Sequence, residues 1–366
     1  MDLLQQARAE IDTVDAEMAA LFERRMRAVA DVVRYKAETG KPVFDAAREA
    51  AVLDKNTARI TDEALRPYYR AFLSDAMSIS RAYQRARLGR DTAAYQGVPG
   101  AWSHIALRRL FPFARETACT TWGEVFDAVQ NGDAQFGVLP FENSNAGDVS
   151  TVLDLLYTHP DIIIARMCDL PIRQDLLGVP GAKVDEITQV FSHEQGFAQC
   201  PKFLGEHPAW VTTPYFNTAI AARHVAEMGD KHCAAIASRL AAKHYGLEIL
   251  APDIHTFDGN HTRFIVVSAS PTPIGIPDKA TVTFTLRHER GTLMRALSSF
   301  VAMGMNMTHI ESRPLHNSNW EYCFYVDLTG NLRDSNLGVL MGSLQGDCEN
   351  CRLLGVYQAA REDAHV

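Results

Sequence analysis

Arg25 and Lys36 lie eleven residues apart, which on one helix is about 20° around the axis and about 16 Å along it, so both cations can reach one anionic ligand. Asp45, Arg48 and Glu49 fall at i, i+3 and i+4, and Ser80 and Gln84 at i and i+4, so each set shares a helical face. Spacing alone favours a solvated face of salt bridges, because charged residues on helices are usually solvated. A second group of polar residues follows short apolar runs: Ser103, Glu142-Asn143-Ser144, Ser192 and Asn217-Thr218. Such positions suit N-caps, and helix N-termini there bind anions. For Ser103 and Thr218 taken singly, capping is the simpler reading.

The elements that must carry these residues are legible in outline. Leu4, Ala7, Ile11, Val14, Met18, Leu21, Val29 and Val32 recur at spacings of three and four, predicting an amphipathic helix to about residue 37. It would span about 50 Å and needs another long helix to pack on, including one from a second chain. Gly40, Lys41 and Pro42 end it, and 45–59 and 65–87 read as further helices. Strand-like runs at 94–98, 136–139, 162–164, 190–191 and 264–267 alternate with helical stretches, an α/β pattern. Residues 268–278, with Pro271, Pro273 and Pro277, form a flexible linker, after which 280–286 reads as a strand, 293–303 as a helix and 322–327 as a strand. The expected organisation is multidomain α and α/β, with domains at 1–90, 91–270 and 278–358.

Composition limits the function classes. With 366 residues, 47% hydrophobic and 22% charged, the chain is long enough for two or three domains and has no apolar run long enough to span a membrane. The first 17 residues are charged throughout and lack a secretory h-region, so a cytoplasmic location is expected. Seven cysteines, an odd number without regular spacing, argue for free thiols, and Cys348 and Cys351 form only a lone CxxC. A net charge of −8 argues against nucleic acid as a partner, although residues 1–90 carry +2 and suit an anionic ligand. No GxGxxG follows a predicted strand, which disfavours a fused dehydrogenase.

Residues 4–85 resemble the all-helical chorismate mutase family, whose functional positions fall on Arg8, Arg25, Lys36, Asp45, Arg48, Glu49, Ser80 and Gln84. The match runs without a gap from Arg8 to Glu49 and needs a one-residue shift before Ser80. The resemblance implies a pericyclic rearrangement of chorismate to prephenate, which requires no nucleophile, metal or cofactor. In it Arg8, Arg25 and Arg48 would hold carboxylates, Lys36 and Gln84 would donate to the ether oxygen, and Glu49 would orient the ring hydroxyl, with Asp45 and Ser80 also binding substrate. Helical geometry adds a constraint. Arg8 and Arg25 are about 26 Å apart along one helix and point about 100° apart, so a site using both must take Arg8 from a partner chain.

Over about residues 93–268 the chain resembles prephenate dehydratase. Four blocks carry the likeness: Tyr95-Gln96-Gly97-Val98-Pro99-Gly100-Ala101-Trp102-Ser103, Gly137-Val138-Leu139-Pro140-Phe141-Glu142-Asn143-Ser144, Ser192-His193-Glu194-Gln195-Gly196-Phe197-Ala198-Gln199-Cys200, and Asn260-His261-Thr262-Arg263-Phe264. The likeness implies a two-lobed fold like a periplasmic amino-acid binder, with crossings near Asp169 and Ile254 and prephenate in the cleft. It implies catalytic roles for Thr262, Asn143, Ser192 and Gln199, and substrate contacts from Arg263, Ser103 and Glu142. Thr262 would hydrogen-bond the departing hydroxyl as carbon dioxide leaves and phenylpyruvate forms. The proton could come from Glu142, a water or Thr262.

The last segment resembles a ferredoxin-like ACT regulatory domain. Asn306-Met307-Thr308-His309-Ile310-Glu311-Ser312-Arg313-Pro314 matches the phenylalanine-binding stretch of dehydratases, while Arg290-Gly291-Thr292-Leu293 departs from the usual Pro-Gly-Ala-Leu. The likeness implies phenylalanine as effector, held by Gly291, Leu293, Asn306, Glu311, Ser312 and Arg313. The combined reading is a bifunctional enzyme of phenylalanine biosynthesis. Its partners would be chorismate, prephenate, phenylalanine and further copies of itself, as a homodimer or higher oligomer, with no cofactor, no metal and no membrane. The alternatives are a dehydratase with an inactive, dimerising mutase domain, and a non-catalytic amino-acid-sensing module.

Overall fold

The structure, a computed structural model, describes residues 2–41, 43, 45–89, 92–145, 147–269, 277–286, 289–315, 321–332 and 334–360. The chain divides near residue 91 into two units.

In the first unit, Asp2 accepts a hydrogen bond from Leu4 N at 3.2 Å and so opens α1 (Leu3–Thr39). Gly40 closes it at φ +68°, a left-handed conformation strained for other residues. Pro42, part of the expected stop, lies outside the described residues. Asp45 caps α2 (Ala46–Thr57), and a single 3₁₀ turn at Glu63–Leu65 leads into α3 (Arg66–Arg87). The packed part of this unit is small: α1 packs on α3, and the buried residues among those described are Val33 on α1 and Met77, Ser80 and Gln84 on α3. Residues 3–24 of α1 are all exposed, including Ile11, Val14, Met18 and Leu21 of the predicted apolar stripe.

The second unit begins with β1 (Thr92–Gln96), α4 (Trp102–Leu110), β2 (Arg115–Cys119), α5 (Trp122–Gln130) and β3 (Phe136–Asn143). The short β4 (Gly147–Asp148) folds back on β3, then α6 (Ser150–Thr158) and β5 (Ile163–Pro171) complete the outward path. The chain crosses at 172–174 into a second lobe of β6 (Asp175–Gly178), β7 (Gln189–Ser192), α7 (Glu194–Gln199), α8 (Pro201–Gly205), β8 (Val211–Pro214), α9 (Thr218–Met228), β9 (Cys233–Ala237), α10 (Arg239–Tyr245) and β10 (Glu248–Ala251). It returns at 252–260 to β11 (His261–Ser268), which inserts between β5 and β3 of the first lobe. The second lobe is a five-stranded sheet in the order β10-β6-β9-β7-β8. Its central strand β9, Cys233-Ala234-Ala235-Ile236-Ala237, is buried at every residue, as expected for a strand covered on both faces.

One tight turn ties the lobes together. Gly100, at φ +87°, passes so close to α10 that an added Cβ would lie 2.8 Å from Ala241 Cα. Its carbonyl accepts from Ser238 Oγ at 2.8 Å, and Tyr245 Oη donates to Pro99 O at 2.8 Å. The turn therefore fixes the start of α4 against the opposite lobe.

The C-terminal segment has the order βαββαβ: β12 (Lys279–Leu286), α11 (Thr292–Ala302), β13 (Asn306–Pro314), β14 (Tyr322–Thr329), α12 (Asp334–Asp347) and β15 (Cys348–Ala360). Its strands lie in the order β13-β14-β12-β15, a ferredoxin-like sheet. Residues 270–276 of the expected linker lie outside the described residues, but the segments on either side are not independent. β15 runs on from this sheet to pair in parallel with β5, Gln358 opposite Arg166. Cys323, Tyr325, Leu354 and Tyr357 share one core cluster with Leu153, Ile164 and Met167 of the first lobe, and Tyr325 Oη donates to Leu153 O at 2.7 Å. This shared core ties the C-terminal segment to the first lobe, because its apolar area would be exposed to water if the two parted. Among the described residues no helix is long and apolar enough to cross a membrane.

Candidate active sites

In the first unit, Arg25 bridges α1 to α3: its Nη1 donates to Ala76 O at 3.0 Å and to Ser80 Oγ, and burial lowers its pKa. Ser80 and Gln84, one helical turn apart on α3, are both buried, and Gln84 Oε1 has no hydrogen-bond partner. Lys36 Nζ, near the end of α1, donates to Val43 O at 2.7 Å. Two acidic residues have structural partners: Asp45 accepts from Arg48 N at 3.0 Å as the cap of α2, and Glu49 pairs with Arg81 of α3. Sequence reading missed Arg81, because residues on separate helices share no spacing signal. Arg8 lies on the exposed half of α1, about 26 Å from Arg25 by helical rise. Of the expected set, the structure joins Arg25 to Ser80, with Gln84 one turn further along α3, and leaves Arg8 on the exposed half of α1.

Between the two lobes of the second unit is a cleft of about 930 Å³ lined by Ser103, Asn143, Gln199 and Thr262 among the expected residues. Strand register explains the central pair. Thr262 on β11 lies opposite Asn143 on β3, and Asn143 Nδ2 donates to Thr262 Oγ1 at 2.9 Å and to Asn260 Oδ1 at 2.9 Å. With an amide donor on the threonine oxygen, the threonine proton is directed elsewhere, toward whatever occupies the cleft. Gln199 Oε1 accepts from Gln174 Nε2 at 2.8 Å, leaving the buried Gln174 Oε1 without a partner.

Other cleft groups were not singled out by sequence reading. Trp102 and Trp122 line it with buried indole Nε1 atoms that have no hydrogen-bond partner. α4 starts at the cleft with no side-chain cap, so its first N–H groups stay available, and α9 starts there with Asn217 accepting from Ile220 N at 2.7 Å. His193 also lines the cleft: its Nδ1 accepts from Gln195 N at 3.2 Å, so the neutral ring carries its proton on Nε2. The block Ser192-His193-Glu194-Gln195 contained this signal, as a histidine one residue before a helix.

Three expected residues lie elsewhere. Ser192 is fully buried in the sheet behind the cleft, with Oγ donating to Ile236 O at 2.8 Å. Arg263 and Glu142 are next to the cleft pair in sequence and so point to the opposite face. There Arg263 Nη1 donates to Glu142 Oε2 at 2.6 Å and its Nε to Asp169 Oδ1 at 2.9 Å. Burial alone would lower the Arg263 pKa, but Asp169 and Glu142 reverse that and hold it raised. The placement of Arg263 and Glu142 as cleft contacts, and of Glu142 as a proton source within the cleft, is thus corrected by strand alternation.

The expected effector residues divide between two faces. Gly291, at φ +81°, precedes α11, and Leu293 lines a largely apolar groove with Leu297, Val301 and Met307. On β13 Ser312 is exposed between Glu311 and Arg313, which face the other way, while a register shift between Met307 and His309 takes the exposed Asn306 out of that alternation; Glu311 and Arg313 face the first lobe. Arg313 Nη2 donates to Asp154 Oδ2 at 3.0 Å there. One copy of the chain therefore does not gather these six residues into one pocket, since residues an odd number apart on a strand point oppositely.

Comparison with known proteins agrees with this division of labour. The family model for chorismate mutase type II matches residues 7–85, and that for prephenate dehydratase matches residues 93–272. A bifunctional chorismate mutase/prephenate dehydratase of Neisseria gonorrhoeae is 32% identical, the match covering 98% of each chain. Among solved structures, prephenate dehydratase from Arthrobacter aurescens in complex with L-Phe superposes with a TM-score of 0.68 at 32% identity, covering 75% of this chain and 91% of that one. GqqA, described as a novel type of quorum quenching acylase, gives a TM-score of 0.67 at 32% identity over 74% of this chain and 98% of its own. With near-complete coverage of both chains by a relative above 30% identity, the chain belongs to the bifunctional chorismate mutase/prephenate dehydratase family.

Proposed function

We propose that the first unit rearranges chorismate to prephenate and the second converts prephenate to phenylpyruvate, at two separate sites. The observation that carries the dehydratase reading is the Asn143–Thr262 hydrogen bond at the cleft. It supports a role for the Thr262 hydroxyl as donor to the departing oxygen, while the Trp102 and Trp122 indoles and the α4 N-terminus receive the substrate's carboxylates. His193, whose Nδ1 accepts from Gln195 N, serves as a further fixed donor through Nε2. Replacing Thr262 by isosteric valine should cost dehydration roughly 100-fold or more, as loss of a transition-state donor does elsewhere. Dehydration at the wild-type rate in that variant would remove the hydroxyl from the mechanism.

In the mutase, Arg25, Arg48, Lys36 and Gln84 bind and polarise chorismate, and Arg8 comes from a second copy. The exposed stripe of Ile11, Val14, Met18 and Leu21, at heptad-like spacing, supports a dimer through α1. Among the described residues no cysteine is bridged to another, which supports a reducing, cytoplasmic location. The C-terminal segment acts as an ACT-type regulatory domain for phenylalanine. Phenylalanine bound there should weaken prephenate binding by roughly 5- to 150-fold, the range of a coupling of about 1 to 3 kcal/mol, and calorimetry showing no phenylalanine binding would remove this role.

A further inference from the structure

Side-chain alternation on β3 and β11 makes two ranks. Asn143 and Thr262 face the cleft, while Glu142 and Arg263, paired in register, face the C-terminal segment. His309 on β13 meets this second rank. Its Nδ1 lies 3.9 Å from Glu142 Oε2 on β3, and its Nε2 lies 3.5 Å from Asp148 Oδ1 on β4. Asp148 pairs with Glu142 across the β3–β4 hairpin and also lines the cleft. The ring therefore touches both strands of the hairpin that carries Asn143. Asp148 Oδ1 and His309 Nε2 are both buried without a hydrogen-bond partner, and at 3.5 Å each is the other's ion-pair neighbour.

The charges around the ring favour its cationic form. Interaction with Asp148 raises the His309 pKa above its ordinary value, burial opposes this, and Asp327 on β14 and Glu142 add to the rise. Glu311, on the same face of β13, is itself raised, first by burial and then by Asp148. Arg263 and Lys279 offset part of this negative charge through Glu142 and Asp327 respectively. Glu142, Asp148 and His309 are close enough to present ligand atoms to a metal ion, but the Arg263 guanidinium already lies on the same Glu142 oxygen. The geometry favours an internal cation over a bound one.

We propose that His309 is a positioning residue for dehydration: as imidazolium it holds the β3–β4 hairpin through Asp148 and Glu142 and so sets Asn143 against Thr262. The C-terminal segment is then part of the dehydratase as well as its regulator. This rests on the dehydratase reading above. The clamp is complete while His309 is protonated and is lost as pH rises through its raised pKa, above the ordinary imidazole value of about 6.5.

The test measures kcat and KM for prephenate against pH in full-length wild-type, His309→Gln and His309→Lys proteins, with chorismate consumption as a folding control. Wild type should lose kcat on the alkaline side, His309→Gln should be about 10-fold lower at acid pH and lack the limb, and His309→Lys should keep its rate across it. Hydrogen exchange of amides 142–148, compared between variants at each pH, needs no turnover and separates this proposal from the dehydratase reading. Those amides should be as protected in wild type as in His309→Lys at acid pH and less protected at alkaline pH. Equal protection of the two at every pH, or a His309→Gln variant with wild-type kcat and an unchanged alkaline limb, would overturn the proposal.

Discussion

The two units approach anionic substrates in opposite ways. The proposed site of the first relies on cationic side chains on helices, with Arg25 half-buried against Ser80 and Lys36 near a helix end. Among the described residues lining the cleft of the second unit none is lysine or arginine, and its donors are threonine, amide, indole, imidazole and backbone N–H groups. The chemistry accounts for the contrast. A pericyclic rearrangement needs its substrate compacted and its ether oxygen polarised, which strong point charges do well. A dehydrating decarboxylation must release a carboxylate as carbon dioxide, and a salt bridge to that carboxylate would stabilise the ground state it has to leave.

The contrast can be broken at several strengths. The largest expected effect is in Lys36→Ala, which should lower chorismate consumption roughly 100- to 1,000-fold, while prephenate turnover stays near wild type. Equal loss of both activities, measured on each substrate separately, would argue against independent sites. Next comes Arg8→Ala, equally inactive alone but complemented by mixing with Lys36→Ala. Re-formed dimers should regain about one quarter of the mutase activity, because one of the two sites in each mixed dimer is intact. No recovery after verified subunit exchange would mean that Arg8 does not serve across an interface.

Smaller effects sharpen the picture of the second unit. Gly355 on β15 passes so close to β5 that an added Cβ would lie 2.1 Å from Ile164 O. Gly355→Ala should lower the thermal midpoint by several degrees by prising β15 from β5, and an unchanged midpoint would show that the shared core tolerates the shift. The smallest expected change is in Trp122→Phe, which keeps the ring and removes one uncharged donor. It should raise KM for prephenate or lower kcat by roughly 2- to 10-fold, the worth of a neutral hydrogen bond of about 0.5 to 1.5 kcal/mol. A change nearer 1,000-fold would make the indole a principal donor.

Legibility followed the range of the interactions. Helix α1 was readable to within two residues of its end because its apolar spacing and Gly40 are local signals. The strands were found but read short: 136–139 extends to Asn143, the end that carries the candidate residues. The parallel pairing of β15 with β5 was invisible, since nothing local joins residues 358 and 166. Site residues follow the same rule. Family blocks led to Asn143 and Thr262, but each block named consecutive residues together, and a strand sends neighbours to opposite faces. Arg263 and Glu142 therefore belong to the second rank, while Trp122 and His193 lie in the cleft where no spacing pattern marked them.

The most direct test of two live sites on one chain supplies purified protein with chorismate alone and follows chorismate, prephenate and phenylpyruvate over time. The account predicts that wild type consumes chorismate and accumulates phenylpyruvate, and that Thr262→Val consumes chorismate at the wild-type rate but stops at prephenate. Wild-type protein that stops at prephenate, or that turns over added prephenate but leaves chorismate untouched, would contradict it.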